Sequence, residues 1–196
     1  MLSLNTVFRF FMERDLEERV FQLVKPVAFK GIDEFFDIAP ILGDPEVLKI
    51  VSEEFVRVVR FLDPTVICAL DARGFIFGTL VAIHMGKPLV MIRKANKLPG
   101  ECWRTSFDKE YESGDSFEIQ KGSIKESDNV VVIDDILATG GSMNAAFQLL
   151  KKMNPQSVSG VCLIDLNLPG SREYLQEHSV YVKSLFDVIS WRNNRE

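Results

Sequence analysis

Two adjacent carboxylates, Asp134 and Asp135, close the apolar run VVVI and are followed within a few residues by Ala138, Thr139, Gly140, Gly141 and Ser142. Carboxylates placed side by side after a buried strand repel one another and lose hydration, unless hydroxyls, backbone amides or a cation take up their lone pairs. Vicinal sugar hydroxyls or a hydrated Mg2+ are suitable partners. The small residues lead straight into a helix-like segment. Their backbone amides, the hydroxyls of Thr139 and Ser142 and a helix N-terminus therefore converge on one anion-sized spot. Gly140 and Gly141 permit positive φ and close approach there. Acids that grip a diol beside a cradle that holds phosphate describe a sugar phosphate. Neither G-x-x-x-x-G-K-[ST] nor G-x-G-x-x-G occurs, which argues against an NTPase or a dinucleotide enzyme.

Other residues have the types for the same chemistry. LDARG (70–74) reads as a second strand end turning through Gly74 into a helix, able to present amides and Arg73 to an anion. Arg93, Lys94 and Lys97 place three cations within five residues at the end of another strand, where they can neutralise phosphate charge. Glu110 and Tyr111 stand in a long polar interval. His84 lies on an apolar helix and His178 in a polar turn, and neither has a partner motif, so both are read as structural. Trp103 either covers a site or lies exposed.

These groups need a scaffold. Residues 13–24 form an amphipathic helix, and a longer helix starts at Pro45 after Asp44 and runs to Leu62. From there near-continuous apolar strands at 65–70, 88–94, 129–134, 157–165 and 180–186 alternate with helices at 75–85 and 142–153. That alternation predicts an α/β fold with a mainly parallel central sheet flanked by helices. Between Lys94 and Val130 only SFEIQ (116–120) reads as a strand, and the rest of the interval is read as a mobile lid over a site.

At 196 residues the chain is long enough for one full domain. A content of 46% hydrophobic and 26% charged residues is that of an ordinary folded protein. The net charge of −5, without a basic stripe, argues against nucleic acid as a partner. No apolar run reaches a membrane-spanning length of about 20 residues, and the N-terminus lacks a signal-peptide cleavage pattern. Three widely spaced cysteines form no disulfide framework, so a cytoplasmic location is expected.

VVVIDDILATGGSMNA resembles the phosphoribosyl-diphosphate (PRPP) binding signature of type I phosphoribosyltransferases. ALDARGFIFG, IRKANKLPGE, KEYESGDSFEIQKGSI and IDLNLPGSRE are similar, in the same order, to blocks of the adenine-specific branch of that family, over residues 31–186. The resemblance implies one catalytic domain: a small hood over about 1–42, a core over about 43–186 and a flexible loop over about 95–112. It implies transfer of the 5-phosphoribosyl group from PRPP to adenine, giving AMP and diphosphate, in a homodimer. Mg2+ would be held mainly through PRPP and water rather than by direct protein ligands.

By the same resemblance, Ala138, Thr139, Gly140, Gly141 and Ser142 hold the 5-phosphate, while Asp134 and Asp135 hold the ribose hydroxyls. Asp71, Ala72 and Arg73, with Arg93, Lys94 and Lys97, hold the diphosphate. The Arg in some relatives reaches the neighbouring subunit's site. The loop at 71–73 often carries a non-proline cis peptide, which is expected here too. Glu110 matches the residue that acts as general acid or base at the purine N7, beside Tyr111.

Glu34, Phe35, Phe36 and Leu166 fall at base-binding positions, with Ile41 either a neighbour of the purine or plain core. The segment FKGIDEFFDIAPIL departs from the family pattern, with Lys30 in place of Pro, an apparent one-residue insertion, and Phe36 where Arg is usual. Two alternatives therefore stay open: a phosphoribosyltransferase for hypoxanthine, guanine or xanthine, and a non-catalytic PRPP-sensing regulator.

Overall fold

The computed structural model describes residues 15–29, 31–106 and 116–193. The chain divides into two compact units, one of residues 1–53 with 189–196 and the other Glu54–Val188.

In the first unit, helix α1 is described over residues 15–23, with Leu16, Val20, Phe21 and Val24 buried as the amphipathic spacing requires. Strands β1 (Pro26–Phe29) and β2 (Ile32–Phe36) make an antiparallel hairpin turning at Gly31, where φ is 81°. A short helix α2 (Ala39–Gly43) precedes α3 (Pro45–Arg60), whose residues from Glu54 on belong to the second unit. The Asp44 carboxylate accepts the Glu46 and Val47 amides at 3.0 Å each, capping α3 at the predicted start. β1, β2 and α2 were not legible as elements in the sequence.

The second unit contains β3 (Val66–Leu70), α4 (Gly74–Met85), β4 (Leu89–Lys94), β5 (Cys102–Ser106), β6 (Ser116–Gln120), β7 (Asn129–Leu137), α5 (Gly141–Lys151), β8 (Ser157–Asp165), α6 (Ser171–Glu177) and β9 (Val182–Asp187), with α7 (Val188–Asn193) following. The seven strands form one sheet in the order β5-β6-β4-β3-β7-β8-β9. Its last five strands are parallel, while β6 runs antiparallel to β4 and β5 antiparallel to β6.

Every residue of β3 is buried, as expected of a strand covered on both faces. One core joins Cys68, Leu70, Ile92, Val132 and Cys162 of the sheet to Met143, Phe147 and Leu150 of α5. No helix among the described residues is long and apolar enough to cross a membrane.

Two sequence expectations change. The interval after Lys94 holds a second strand, β5, because its residues pair in full register with β6 from Cys102↔Gln120 to Ser106↔Ser116. Residues 107–115, the centre of the expected lid, lie outside the described residues. The strand expected at 129–134 continues to Leu137, because its ladder with β8 runs on through Ile136↔Ile164 and Leu137↔Asp165. The acidic pair thus sits inside the strand, not after it.

Candidate active site

β3 leads through α4 to β4 on one side of the sheet, and β7 leads through α5 to β8 on the other. The strand order reverses between β3 and β7. In an open parallel sheet such a reversal opens a crevice at the carboxyl ends of the two strands. Both singled-out loops lie there, Asp71–Arg73 after β3 and the 138–142 run after β7. β3 stops pairing at Ala69↔Ile133, four residues short of the end of β7 at Leu137.

The run after β7 encloses a hollow of about 60 Å³ lined by Asp134 and residues 136–143. Gly140, with φ of 88°, is the N-cap of α5 and brings no capping side chain. The first-turn amides and the positive end of α5 therefore face the hollow. Thr139 Oγ1 accepts the Gly141 amide over a long 3.5 Å, and the Gly140 carbonyl accepts the Asn144 amide at 2.9 Å. A Cβ on Gly140 would lie 2.9 Å from two carbons of Leu175 on α6, so α6 backs the hollow. Asn144 Nδ2 also donates to the Tyr174 hydroxyl of α6 at 2.7 Å.

Beside the hollow stands the acidic pair. Asp135 is only 3% exposed, and its Oδ2 lies 2.8 Å from Arg73 Nε. Asp134 is half-buried at the rim, and its Oδ1 accepts the Asp135 amide at 2.9 Å. Burial first, then the charge of Asp135, holds the Asp134 carboxyl well above the usual carboxylate range. Burial also raises Asp135, against the downward pull of Arg73. A Cβ on Gly74 would meet the Ile133 carbonyl at 2.6 Å and Asp134 Oδ1 at 3.2 Å, so the start of α4 touches β7 at the acids. The Asp71–Ala72 peptide bond is cis.

The loop after β3 is tied to the cations of β4. Arg93 Nε donates to Asp71 Oδ2 at 3.2 Å, and its guanidinium lies 5.9 Å from the centre of the Phe75 ring. Lys94 and Lys97 are exposed. The second unit thus brings together Asp71, Ala72, Arg73, Arg93, Asp134, Asp135 and the hollow at 138–142.

Of the residues expected to bind the base, Glu34, Phe35 and Phe36 lie in β2 of the first unit. Arg192 Nη2 holds Glu34 at 3.0 and 2.9 Å, Phe35 packs 5.0 Å from the Phe29 ring, and Phe36 and Ile41 are buried. Leu166 is half-buried after β8, its amide donating to the Leu137 carbonyl at 2.9 Å. Glu110, Tyr111 and Lys30 lie outside the described residues. Trp103 is exposed on β5 with the Lys121 ammonium 5.0 Å over its ring. The imidazole Nδ1 atoms of His84 and His178 each lie 2.8 Å from the carbonyl four residues back, a local helical contact.

Two buried acids went unnoticed in the sequence. Asp165 at the end of β8 is fully buried, accepts the Asn167 amide at 2.8 Å and pairs with Arg172, which fixes the turn carrying Leu166. Glu118 on β6 is also fully buried. Glu118 carries no local signal, because the groups that cover it, Lys97, Leu98 and Arg104, come from an earlier part of the chain.

Residues 44–195 match the phosphoribosyl transferase domain. The chain belongs to the phosphoribosyltransferase family. An adenine phosphoribosyltransferase of Mycoplasma mobile is 43% identical to it, over 81% of this chain and 92% of that one. The crystal structure of an adenine phosphoribosyltransferase from Rhodothermus marinus superposes with a TM-score of 0.80 at 31% identity, covering 89% of this chain and 99% of that one. The enzyme of Trypanosoma brucei, solved with AMP, pyrophosphate and ribose-5-phosphate, gives 0.75 at 28% identity over 88% and 79%. This phosphoribosyltransferase has the type I architecture, a mixed, mostly parallel sheet flanked by helices.

Among the described residues of this phosphoribosyltransferase, no cluster of three or more His, Cys, Asp or Glu side chains is arranged to hold a metal ion. One oxygen of Asp134 already accepts an amide and one of Asp135 already pairs with Arg73. The pair therefore fits Mg2+ as a site shared with water and substrate oxygens, not as a cage of protein ligands.

Proposed function

We propose that this enzyme transfers the 5-phosphoribosyl group of PRPP to adenine, yielding AMP and diphosphate. One observation carries the reading: a carboxylate pair and an amide-lined hollow stand side by side at the switch point of the sheet. The adenine phosphoribosyltransferases among its relatives supply the choice of base.

In this reading the backbone of Ala138, Thr139, Gly140, Gly141 and Ser142 holds the 5-phosphate, and Asp134 and Asp135 accept hydrogen bonds from the ribose hydroxyls. Asp71, Ala72 and Arg73, with Arg93, Lys94 and Lys97, hold the diphosphate. The bond from ribose C1 to diphosphate breaks as adenine N9 bonds to C1, and Glu110 handles the purine proton while Tyr111 lies beside the base. Glu34, Phe35, Phe36 and Leu166 are the residues assigned to the base. When bound, Mg2+ supplies positive charge to the leaving diphosphate.

The test is turnover of each purine in turn with PRPP and Mg2+, in wild type and Glu110→Gln. Adenine should be the preferred base. Glu110→Gln should lower kcat by about 10²- to 10⁴-fold with little change in the KM for PRPP, as for a group acting mainly in the transition state. PRPP binding without nucleotide formation from any purine would establish the sensing reading, and preference for another base would reassign the pocket.

The same reading makes the enzyme a cytoplasmic homodimer. Its three cysteines are free. Ile76 and Ile83 on α4 and Met91 on β4 are 37%, 71% and 44% exposed, an apolar surface that a second copy would cover. Sedimentation should give a dimer for the wild type and a monomer for Ile83→Glu combined with Met91→Glu. A monomeric wild type would remove the dimer, and with it any role of Arg93 in a neighbouring site.

A further inference from the structure

The carboxylate of Glu118 is fully buried on β6, opposite Arg93 in the ladder with β4. An ionised carboxylate taken out of water must be matched group by group, or it costs several kcal/mol. Here the matching is close to complete. Oε1 accepts the amides of Lys97 and Leu98, each at 2.7 Å, and Oε2 accepts Arg104 Nε at 3.1 Å. Arg104 in turn gives Nη2 to Asn96 Oδ1 at 3.1 Å, and Asn96 adopts a positive φ of 63°. Burial alone would raise the Glu118 carboxyl, yet the amides of Leu98, Lys97 and Asn96 and the Arg104 charge together leave it below the usual range.

What is fixed in this way is the turn that carries the cations. Lys97 lies in it, and its carbonyl accepts Arg93 Nη1 at 3.2 Å, while Arg93 Nε reaches Asp71 Oδ2 at 3.2 Å. A continuous chain of contacts therefore runs from Glu118 through the 96–98 turn to Arg93 and on to the loop at 71–73. The carboxylate itself is sealed under the turn, with no surface of its own exposed. We infer that Glu118 is a positioning residue for diphosphate: it sets where the Lys97 and Arg93 charges stand. The inference rests on the assignment of these cations to diphosphate.

Its sign separates it from simpler roles. A negative charge that acts only through the field repels diphosphate, so neutralising it would tighten diphosphate binding. A residue that merely supports the fold would, when changed, weaken all ligands together. A positioning residue predicts weaker binding of diphosphate alone.

The experiment is calorimetric titration of Mg2+-diphosphate, and separately of AMP, into the wild type and Glu118→Gln, with amide exchange followed over residues 95–98. Gln keeps one carbonyl oxygen for the two amides but turns a donor toward Arg104. Diphosphate affinity should fall roughly tenfold, the scale of losing one hydrogen bond to a charged group. AMP affinity should stay within about twofold, and exchange at Lys97 and Leu98 should accelerate.

Arg104→Gln, which leaves the amide contacts in place, guards against a Glu118 variant that does not fold. It should shift diphosphate in the same direction, by about threefold. Tighter or unchanged diphosphate binding, or equal losses for diphosphate and AMP, would overturn the inference. These titrations use no purine acceptor, so a failure to make AMP from adenine would count against the proposed activity and leave the Glu118 result standing or falling separately.

Discussion

Replacing Asp134 with asparagine is expected to stabilise the fold while abolishing nucleotide formation. The carboxyl of Asp134 sits well above its ordinary range because of burial and the neighbouring Asp135 charge. A group with a raised folded-state pKa binds more protons in the folded than in the unfolded chain across the window between the two values. Unfolding free energy must then fall as pH rises through that window. The window opens near the unfolded aspartate value of about 3.9 and closes at the raised folded value, so the fold loses stability as pH rises whether the buried pair keeps its proton or gives it up.

The amide side chain in Asp134→Asn would still offer Oδ1 to the Asp135 amide and would remove the repulsion. The wild type should therefore lose stability from about pH 4 upward more steeply than Asp134→Asn. At neutral pH the variant should melt higher, by about 2–4 °C for each kcal/mol recovered. Turnover should drop by at least about 100-fold, the scale of losing a charge aimed at the reacting ribose. Denaturant unfolding at a series of pH values, with an activity assay at each, checks both halves. A variant that is less stable at pH 7 and titrates like the wild type would refute the electrostatic account of this pair.

Gly140→Val should empty the site by another route. The backbone there has φ of 88°, and a Cβ would lie 2.9 Å from Leu175, itself 2% exposed. A non-glycine residue in the left-handed region costs about 1–2 kcal/mol, and overpacking a filled core typically adds about 1–3 kcal/mol. The helix start would have to move away from Leu175 and into the hollow. Affinity for AMP should fall by about 100-fold or more, on the scale of a few kcal/mol. Diphosphate, under the proposed assignment to Arg73, Arg93, Lys94 and Lys97, should bind within about twofold of wild type. Adding Leu175→Ala should return part of the stability and part of the AMP affinity, since it relieves the crowding that drives the helix start into the hollow but leaves the strained φ. Stability from chemical unfolding and affinity from calorimetry separate the two effects.

The parts of this molecule that can be read along the chain are those whose physics is local. Asp44 followed by Pro45 announces a capped helix, and the cap is there. β3, and most of β7 and β8, announce themselves as apolar runs bounded by turns, because burial on both faces leaves no room for alternation. The 138–142 run is legible because small residues, hydroxyls and a following helix adjoin one another in sequence.

Glu118 shows the opposite case. In SFEIQ, Phe117 and Ile119 point to the core, so the period of two places Glu118 outward. It is nevertheless sealed, because a turn twenty residues earlier folds over it. The ion pair between Arg73 and Asp135 likewise joins the ends of two strands that only the sheet brings together. β5 was missed because CWRTS becomes a strand by pairing with β6 rather than through an apolar pattern of its own.

The unequal reach of β3 and β7 has a further physical result. A strand flank with nothing alongside it is ordinarily a hazard at the rim of a sheet, where a foreign chain can dock and start aggregation. Here the bare flank belongs to the middle of a seven-strand sheet, walled by α4 on one side and by β8 on the other. A stray polypeptide would have to displace those walls to pair with it, so the gap beside the end of β7 does not invite self-association.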